Sequence, residues 1–479
     1  MRTLTAIISL LLAFSLSAPA KDNASRVIDR VIDLKGQTIQ LESNGTLLFK
    51  KSGMIKNGRI IGHGSRIETD ATRPLFQNVQ LGGDWCGTVS DVYFYRGVTP
   101  ASDWQIVANL MKFNEINFTR KDYYLTRWAY MLINGGDVVI NGNGVRFHLP
   151  SDKGETRNTV WGKAYNNECI FSSQTTGHRI EINDVTFSDT AGTDTGYGSD
   201  VSAEKPVIYY YLGLTHAEII LNRVHSDGQG CLLKLYNFSR ELDRIELSQC
   251  SIRTCQFAVE VLNITRDDEA GHLKLLTMDS CLVYRYPNAV YCGPISIVGR
   301  EHGTDSVSFS HSVFTESNAG SIELSGVDHA SFNGNECTNL SFYDGDNPPV
   351  TYECRNNVFN LRQITNSQKH RALSMGGRRI ILSGNTYNIL SKPYPFIELL
   401  QPWLVEHIEM TDNIINYIPD NNPKGYSCLF SIKEIKGDFV FTGNQFHSKY
   451  RRPEIDCLFP KKNKTFVDPS KGKIRITWR

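Results

Sequence analysis

Hydrophobic and polar positions along the C-terminal two thirds of the chain repeat in an eight-residue pattern. Positions one and three are apolar, positions four and five are small or polar, position six is Asn in the clearest copies, and position eight is apolar again. Alternation with a period of two predicts a half-buried strand, and the polar pair predicts a bend. The three clearest copies span residues 380–387, 408–415 and 439–446.

Ten copies of this pattern follow one another at intervals of 22 to 39 residues. From the first copy to the last, position six is held by Val185, Val224, Cys250, Cys281, Ser312, Asn335, Asn357, Asn385, Asn413 and Asn444. A repeat of this length built from short strands predicts a parallel β-helix, in which each copy is one bend of a rung. Rungs stack at the interstrand distance of ~4.8 Å, so the asparagines are expected to form a ladder. A β-sandwich is the alternative, but hairpin dipeptides such as Asn-Gly are rare in this region.

The first 20 residues have the pattern of a secretory signal. Arg2 precedes a largely apolar stretch at 7–16, and Ala18-Pro19-Ala20 offers an A-x-A cleavage site. The apolar stretch is too short for a stable membrane anchor, and no later segment has eighteen consecutive apolar residues. We therefore expect a secreted or periplasmic protein, cleaved near Ala20, with no membrane span.

Composition limits the possible partners and cofactors. The net charge is +1 over 479 residues, so no global field points to nucleic acid. The eleven cysteines are scattered, without a C-x-x-C pair or a Cys/His cluster of zinc spacing, and no metal site of that type is expected. Because the repeat stacks Cys250 on Cys281, where parallel side chains are poorly oriented for a bridge, we expect mostly buried free thiols.

The pattern divides the chain into four segments. After the signal peptide at 1–20 come N-terminal rungs and a capping region at 21–150, the main β-helix at 151–450 and a C-terminal basic cap at 451–479. The second segment is expected to contain a short amphipathic helix at 104–111, capped by Ser102 or Asp103. The alternation of Ile474, Ile476 and Trp478 predicts a last strand that covers the end of the β-helix; a basic patch for an anionic glycan is the alternative reading of the cap.

The N-terminal half also carries a resemblance to a known group. Its early short strands, the amphipathic helix, Tyr123-Tyr124-Leu125 and the Val-Ile-x-Gly-x-Gly strand at 139–144 resemble the start of pectin-lyase-like proteins. The resemblance implies an all-β, single-stranded right-handed parallel β-helix with a short N-terminal helix and a C-terminal cap. It also implies a role with polysaccharides or oligosaccharides, which is an inference from fold to function.

The catalytic signatures of the best-known members of that group are missing. Gly62-His63-Gly64 matches one polygalacturonase motif, but no Asp pair precedes it, and Asp267-Asp268 lies far away. We interpret Gly62-His63-Gly64 as a rung turn. The Arg-rich motifs of classical pectate lyases are not visible either, so no specific catalytic family is indicated.

Each rung of this fold has a third short strand, and related glycan-active proteins use that sheet as the floor of their cleft. The predicted third strands are 207–212, 231–236, 258–263, 295–298, 321–325, 340–343, 396–400 and 429–433, with a weaker one at 372–374. Alternation then assigns the faces. Residues expected to point inward are Ile208, Leu233, Leu235, Val259, Val261, Ile322, Leu324, Ile397 and Leu399, and those expected to point outward are Tyr209, Tyr211, Lys234, Tyr236, Glu260, Ser296, Glu323 and Glu398.

Long polar loops at 188–205, 264–272 and 299–304 flank this sheet and mark it as the candidate cleft. The candidate catalytic pair is Glu260 and Glu323, two rungs apart; the candidate substrate-binding residues are Tyr209, Tyr211, Lys234, Tyr236, Arg266 and Arg300. Two interpretations without a functional role stay open. The tyrosines are also ordinary strand residues, and Lys234 and Glu260 on adjacent rungs can form a simple ion pair.

Three function classes remain open at this point. A glycoside hydrolase using paired carboxylates is the first, and a polysaccharide lyase is the second. A non-catalytic glycan-binding or surface-structural β-helix is the third. No cofactor is expected for the hydrolase. Ca²⁺ is an option for the lyase, with the acidic run at 267–269 as its candidate ligand set, but a solvated charge run is the favoured interpretation of those residues.

Overall fold

The computed structural model describes residues 25–97, 100–125, 131–132, 137–149, 171–173, 179–189, 206–211, 216–237, 241–263, 270–285, 295–315, 321–338, 341–343, 347–361, 374–390, 397–399, 404–418, 430–431, 437–448 and 474–478. These residues belong to two compact units, one ending at Asn117 and the other beginning at Phe118. Their regular secondary structure is β-strand except for a short α-helix and a 3-10 turn, Asp91–Tyr93.

The unit that ends at Asn117 consists of short parallel strands and the helix. Its elements are β1 Ser25–Ile28, β2 Val31–Asp33, β3 Thr38–Gln40, β4 Thr46–Phe49, β5 Met54–Thr69, β6 Phe76–Trp85, β7 Thr88–Ser90, α1 Pro100–Leu110 and β8 Glu115–Asn117. Strands β2, β3 and β4 pair in turn with successive parts of β5, so β5 bends through the three faces of one rung. The bend lies at Gly64, with φ 68°, which confirms Gly62-His63-Gly64 as a rung turn.

Helix α1 begins four residues earlier than the sequence predicted. The prediction used Ser102 or Asp103 as a cap, whereas Pro100 opens the helix; its fixed φ suits the first turn and its missing N–H is not needed there. Asp103 therefore lies inside the first turn, where a negative charge is favourable. The predicted apolar face is confirmed, because Val107 and Leu110 are fully buried.

The unit that begins at Phe118 is a stack of parallel strands. Its elements are β9 Asp122–Tyr124, β10 Met131–Leu132, β11 Val138–Leu149, β12 Phe171–Ser173, β13 Arg179–Asp189, β14 Pro206–Tyr211, β15 Ala217–Asn222, β16 His225–Tyr236, β17 Glu241–Ser248, β18 Ser251–Leu262, β19 His272–Asp279, β20 Leu282–Arg285, β21 Ile295–Val298, β22 Thr304–Ser310, β23 Val313–Thr315, β24 Ser321–Leu324, β25 Val327–Asn333, β26 Glu336–Thr338, β27 Ser341–Tyr343, β28 Thr351–Arg355, β29 Val358–Leu361, β30 Ser374–Met375, β31 Arg379–Ser383, β32 Thr386–Ile389, β33 Ile397–Leu399, β34 His407–Thr411, β35 Ile414–Tyr417, β36 Phe430–Ser431, β37 Asp438–Ser448 and β38 Ile474–Trp478.

These strands form three parallel sheets, as a parallel β-helix requires. Sheet A runs through β11, β13, β15, β17, β19, β22, β25, β28, β31, β34, β37 and β38. Sheet B runs through β9, the later parts of β11 and β13, the early parts of β16 and β18, and then β20, β23, β26, β29, β32, β35 and the end of β37.

Sheet C contains the predicted third strands. It runs through β10, β12, β14, the later parts of β16 and β18, β21, β24 and β27, and the strands β30, β33 and β36 pair with one another after it. Every predicted third strand is observed within a few residues of its predicted bounds. The inward assignments are confirmed where side chains are described, because these residues are at most 1% exposed: Leu233, Leu235, Val259, Val261, Ile322 and Leu324.

The repeated pattern forms the bend between sheets A and B. In all ten copies the residue before position six has a left-handed backbone, with φ between 49° and 69°. Gly334, Gly384 and Gly443 adopt this conformation without a Cβ penalty, and Asn or Asp adopts it in three other copies. An eleventh copy, missed in the sequence, has Gly144 at φ 78° and Val145 in register with Val185.

The predicted asparagine ladder is confirmed along this bend. Asn357 Nδ2 donates to Asn385 Oδ1 at 2.9 Å, Asn385 Nδ2 to Asn413 Oδ1 at 3.1 Å, and Asn413 Nδ2 to Asn444 Oδ1 at 2.8 Å. Each oxygen also accepts the backbone N–H of the asparagine before it, and each Nδ2 reaches a carbonyl such as that of Cys354. All five asparagines are at most 1% exposed, so these bonds satisfy polar groups in the core.

Cys250 and Cys281 continue the same column as small buried residues. They are 1% and 2% exposed, and both are free thiols, as the stacking predicted. At the far end, β38 pairs in parallel with β37, which confirms the predicted last strand. Residues 451–473 and 479 of the predicted cap lie outside the described residues. No helix among the described residues is long and apolar enough to cross a membrane.

Candidate functional site

One column of polar side chains runs along the outer face of sheet C. The strand register joins Tyr209 to Lys234, Lys234 to Glu260, Glu260 to Ser296, Ser296 to Glu323, and Glu323 to Tyr343. Because alternate residues of the same strands fill the core, the side chains of this column that the structure describes, those of Lys234, Glu260, Ser296 and Glu323, face away from it. Three residues proposed from the sequence, Lys234, Glu260 and Glu323, are therefore neighbours in one line.

Lys234 and Glu260 form an ion pair that is almost entirely buried. Lys234 Nζ lies 2.7 Å from Glu260 Oε2, and the two residues are 3% and 8% exposed. The sequence pattern predicted that the two side chains point outward but did not predict their burial. Alternation assigns a side chain to a face of the sheet and contains no information about what covers that face. The ammonium compensates the carboxylate in a site that water hardly reaches, so each charge depends on the other.

Glu323, the second carboxylate of the column, has a different environment. Ser296 Oγ donates a hydrogen bond of 2.9 Å to Glu323 Oε2, and Glu323 is partly exposed. Burial raises the pKa of Glu323 above the ordinary range of a glutamate. The Ser296 hydroxyl opposes this shift by stabilising the carboxylate, and the negative charge of Glu260 adds to it.

The two glutamates are spaced in a way that suits acid–base chemistry. They lie two strand spacings apart, so their backbones are separated by about 9.6 Å at ~4.8 Å per strand. Inverting glycosidases hold their two carboxyl groups roughly 6.5–9.5 Å apart, with a water and a sugar between them. Ser296 occupies the intervening strand with a small side chain that is 2% exposed.

The other proposed binding residues flank this column to different degrees. Tyr209 and Tyr211 lie on β14, in register with Lys234 and Tyr236 on β16, but the side chains of the three tyrosines are outside the described part of the structure. Arg300 is exposed in the turn that follows β21. Arg266 and the acidic run 267–269 lie outside the described residues, as does most of the loop at 188–205.

A buried amide cluster at the end of sheet C was not predicted from the sequence. Asn237 Nδ2 donates to Asn263 Oδ1 at 2.9 Å, and Asn263 Nδ2 donates to Thr304 Oγ1 at 3.0 Å and to the Gly303 carbonyl at 3.1 Å. Its sequence signal is an asparagine directly after the third strand on two successive rungs. The cluster fixes the turn that carries Arg300 and anchors the base of the 264–271 loop, because the Gly271 N–H donates to the Asn263 carbonyl at 2.7 Å.

A cluster of possible metal ligands lies on the outer face of sheet A. His216, Glu241 and Asp243 bring ligand atoms within 4.8 Å of one another. However, Lys274 Nζ lies 2.8 Å from Glu241 Oε1 and 2.7 Å from Asp243 Oδ1, and these two carboxylates raise the pKa of the lysine. The ammonium already supplies the positive charge that the carboxylates need, so this cluster is better explained as a surface ion network.

The fold and the sheet C column define the class of the protein as a parallel β-helix with an acidic site on one outer face. The chain matches no family model and no curated protein sequence at a significant level. The function is therefore argued from the site itself.

Proposed function

We propose that the protein is an exported glycoside hydrolase of the pectin-lyase-like group that cleaves a polysaccharide on the outer face of sheet C. The observation that carries the proposal is the contrast between two carboxylates on one rigid sheet. Glu260 is paired with an ammonium at 2.7 Å, whereas Glu323 is bonded to a neutral hydroxyl and its pKa is raised. Two acidic groups with opposing environments are the usual basis for dividing the acid and base roles.

In this proposal Glu323 is the general acid. Its raised pKa keeps a proton on the carboxyl at a higher pH than an ordinary glutamate, and that proton is delivered to the leaving glycosidic oxygen. Glu260, whose side chain is 11% exposed, is the base that takes a proton from the attacking water, with Lys234 as the counter-charge of its carboxylate. Their backbones stand about 9.6 Å apart, at ~4.8 Å per strand, and a tilt of the side chains toward each other would bring the carboxyl groups into the range of inverting enzymes, roughly 6.5–9.5 Å.

The lyase alternative receives less support from the same contacts. A lyase needs a base that reaches a proton beside the uronate carboxyl, together with a cation that neutralises that carboxylate. Lys234, the lysine of the column, is engaged as the ion-pair partner of Glu260. The outer face of sheet C therefore offers an acid pair more readily than a lysine base. A non-catalytic binding role remains the outcome if neither glutamate affects turnover.

The test is a polysaccharide panel with two readouts and one single variant. New reducing ends without ultraviolet-absorbing product indicate hydrolysis, and an unsaturated product indicates a lyase. We expect Glu323→Gln to lower turnover by at least about a hundredfold, the usual contribution of a general acid, while the protein keeps its melting temperature. Full activity of Glu323→Gln would overturn the assignment. Export is tested separately by sequencing the N terminus of secreted material, which should begin near Lys21.

A further inference from the structure

A concave site lies in the unit that ends at Asn117, far along the sequence from the sheet C column. It is a pocket of about 320 Å³ between strand β6, the segment after the 3-10 turn, and helix α1. Its described lining consists of Phe76, Gln77, Asn78, Val79, Phe94, Tyr95, Gly97, Ser102, Gln105, Ile106 and Asn109. This volume falls at the lower end of the range of small-molecule sites, about 300–1,000 Å³.

The walls of the pocket are fixed before any ligand arrives. Asn109 of α1 donates from Nδ2 to the Val79 carbonyl at 2.8 Å and accepts the Leu81 N–H at 2.9 Å, so its amide docks the helix on β6. Arg96 holds Asp103 of the helix through two bonds of 2.7 and 2.8 Å. Strand, helix and connecting segment are thus joined by polar contacts, buried at Asn109 and partly buried at Arg96, and a ligand need not order them.

The floor and the rim of the pocket have different chemistry. Phe76 and Phe94 stack at 5.3 Å, and with Val79 and Ile106 they form a buried apolar floor. At the rim, Tyr95 is 52% exposed, and its hydroxyl has no hydrogen-bond partner in the described part of the chain. The side-chain amide of Gln77 is also unpaired among the described residues.

None of the described residues that line the pocket carries a charge. A charged ligand would therefore lose water without gaining a counter-charge, which disfavours its binding. A neutral sugar ring fits better, because its C–H face suits the apolar floor and Tyr95, and its hydroxyls suit the amide of Gln77 and the phenol. We propose that this pocket binds a neutral sugar residue, separately from the sheet C column.

The experiment measures sugar binding to the full-length protein after removal of the signal segment, by saturation-transfer NMR and calorimetric titration. The probes are the methyl glycosides of glucose, galactose and mannose, with glucuronate as the charged counterpart and adenosine as a neutral ligand that is not a sugar. We expect at least one neutral glycoside to bind, and glucuronate and adenosine to bind at least tenfold more weakly or not at all.

Variants locate the binding. Tyr95→Ala and Gln77→Leu should each weaken glycoside binding by tenfold or more. Tyr124→Ala is the matched control, because Tyr124 is 50% exposed in the other unit, and it should change the affinity by less than twofold. Glu323→Gln should leave this binding unchanged, so the result does not depend on the proposed hydrolase.

Four results would overturn the proposal: no binding of any neutral glycoside, equal binding of glucuronate, preference for adenosine, or equal losses in Tyr95→Ala and Tyr124→Ala. Circular dichroism of each variant shows whether it is folded. If Tyr95→Ala is not folded, Gln77→Leu alone decides, and its retention of full affinity counts against the pocket.

Discussion

The buried pair of Lys234 and Glu260 should make a large and strongly coupled contribution to stability. With 3% and 8% exposure, neither charge can be solvated by water when its partner is removed. Breaking a buried pair by removing one partner costs about 3–5 kcal/mol. We expect Lys234→Met to lower the free energy of unfolding by about this amount, since it leaves the Glu260 carboxylate uncompensated. Glu260→Gln keeps a polar partner for the ammonium, so its cost should be at the lower end of that range, about 3 kcal/mol.

The double variant Lys234→Met/Glu260→Gln measures how strongly the stability contributions of the two side chains depend on each other. Because it removes both charges, its cost should fall short of the sum of the two single costs by about 2–3 kcal/mol. The measurement is urea unfolding followed by tryptophan fluorescence, with the comparison made only if the m values agree. Arg223→Met is the control, because Arg223 pairs with Asp184 on the surface at 51% and 36% side-chain exposure, and it should change the midpoint far less. Single-variant costs below about 0.5 kcal/mol that simply add in the double variant would refute the reasoning, since costs of that size are the range of ordinary surface substitutions.

Two further predictions concern the ladder and the acid. Asn385→Leu should lower the free energy of unfolding by about 1–3 kcal/mol, because the Asn357 amide loses its acceptor and the Cys354 carbonyl loses a donor. Asn388→Leu, in the outward ladder with Asn360, is the control and should cost clearly less in the same urea assay. Equal costs of the two variants would contradict the core role of Asn385. Ser296→Ala removes the bond that opposes the raised pKa of Glu323, so the pH at which activity falls on the alkaline side should move upward; a shift to lower pH would contradict it.

The raised pKa of Glu323 also determines in which direction the stability of the protein changes with pH. A carboxyl whose pKa is higher in the folded than in the unfolded state binds its proton more tightly when folded. Its contribution to stability is fully present below the unfolded pKa and is lost as the pH rises through the folded pKa of Glu323. Glu323→Gln should therefore flatten this part of the stability profile.

The repeat allowed much of the fold to be predicted, because stacking converts sequence period into spatial position. The asparagines at position six, such as Asn335 and Asn357, define the register of the repeat. Because every rung repeats the same bends, this register predicts both the ladder and the third strands. The faces of sheet C followed from two-residue alternation alone. The copy at Val145 was missed because the strand register shifts between Asn141 and Val145, so Gly142 stands at position three, where the other copies have an apolar residue.

The properties of the site were less accessible from the sequence. Register placed Lys234 beside Glu260, but the 2.7 Å contact and the burial depend on what covers sheet C, and local pattern does not encode coverage. The role of Ser296 was missed for a related reason. A serine on a strand face carries no signal by itself and gains meaning only because the next rung places Glu323 above it. The pocket beside α1 was also missed, because it depends on where a helix docks.

Strand register also explains why the proposed acid and base remain apart. The order along the column is Lys234, Glu260, Ser296 and Glu323, so a cation lies on one side of the first glutamate and a hydroxyl separates it from the second. If Glu260 and Glu323 stood on adjacent strands, their backbones would be only ~4.8 Å apart and no water would fit between the carboxyl groups. If one residue were inserted before Ser296, β21 would turn Ile295 or Ile297 outward and bring the serine into the core. The chemistry proposed for this face thus depends on the three strands β18, β21 and β24 keeping one register.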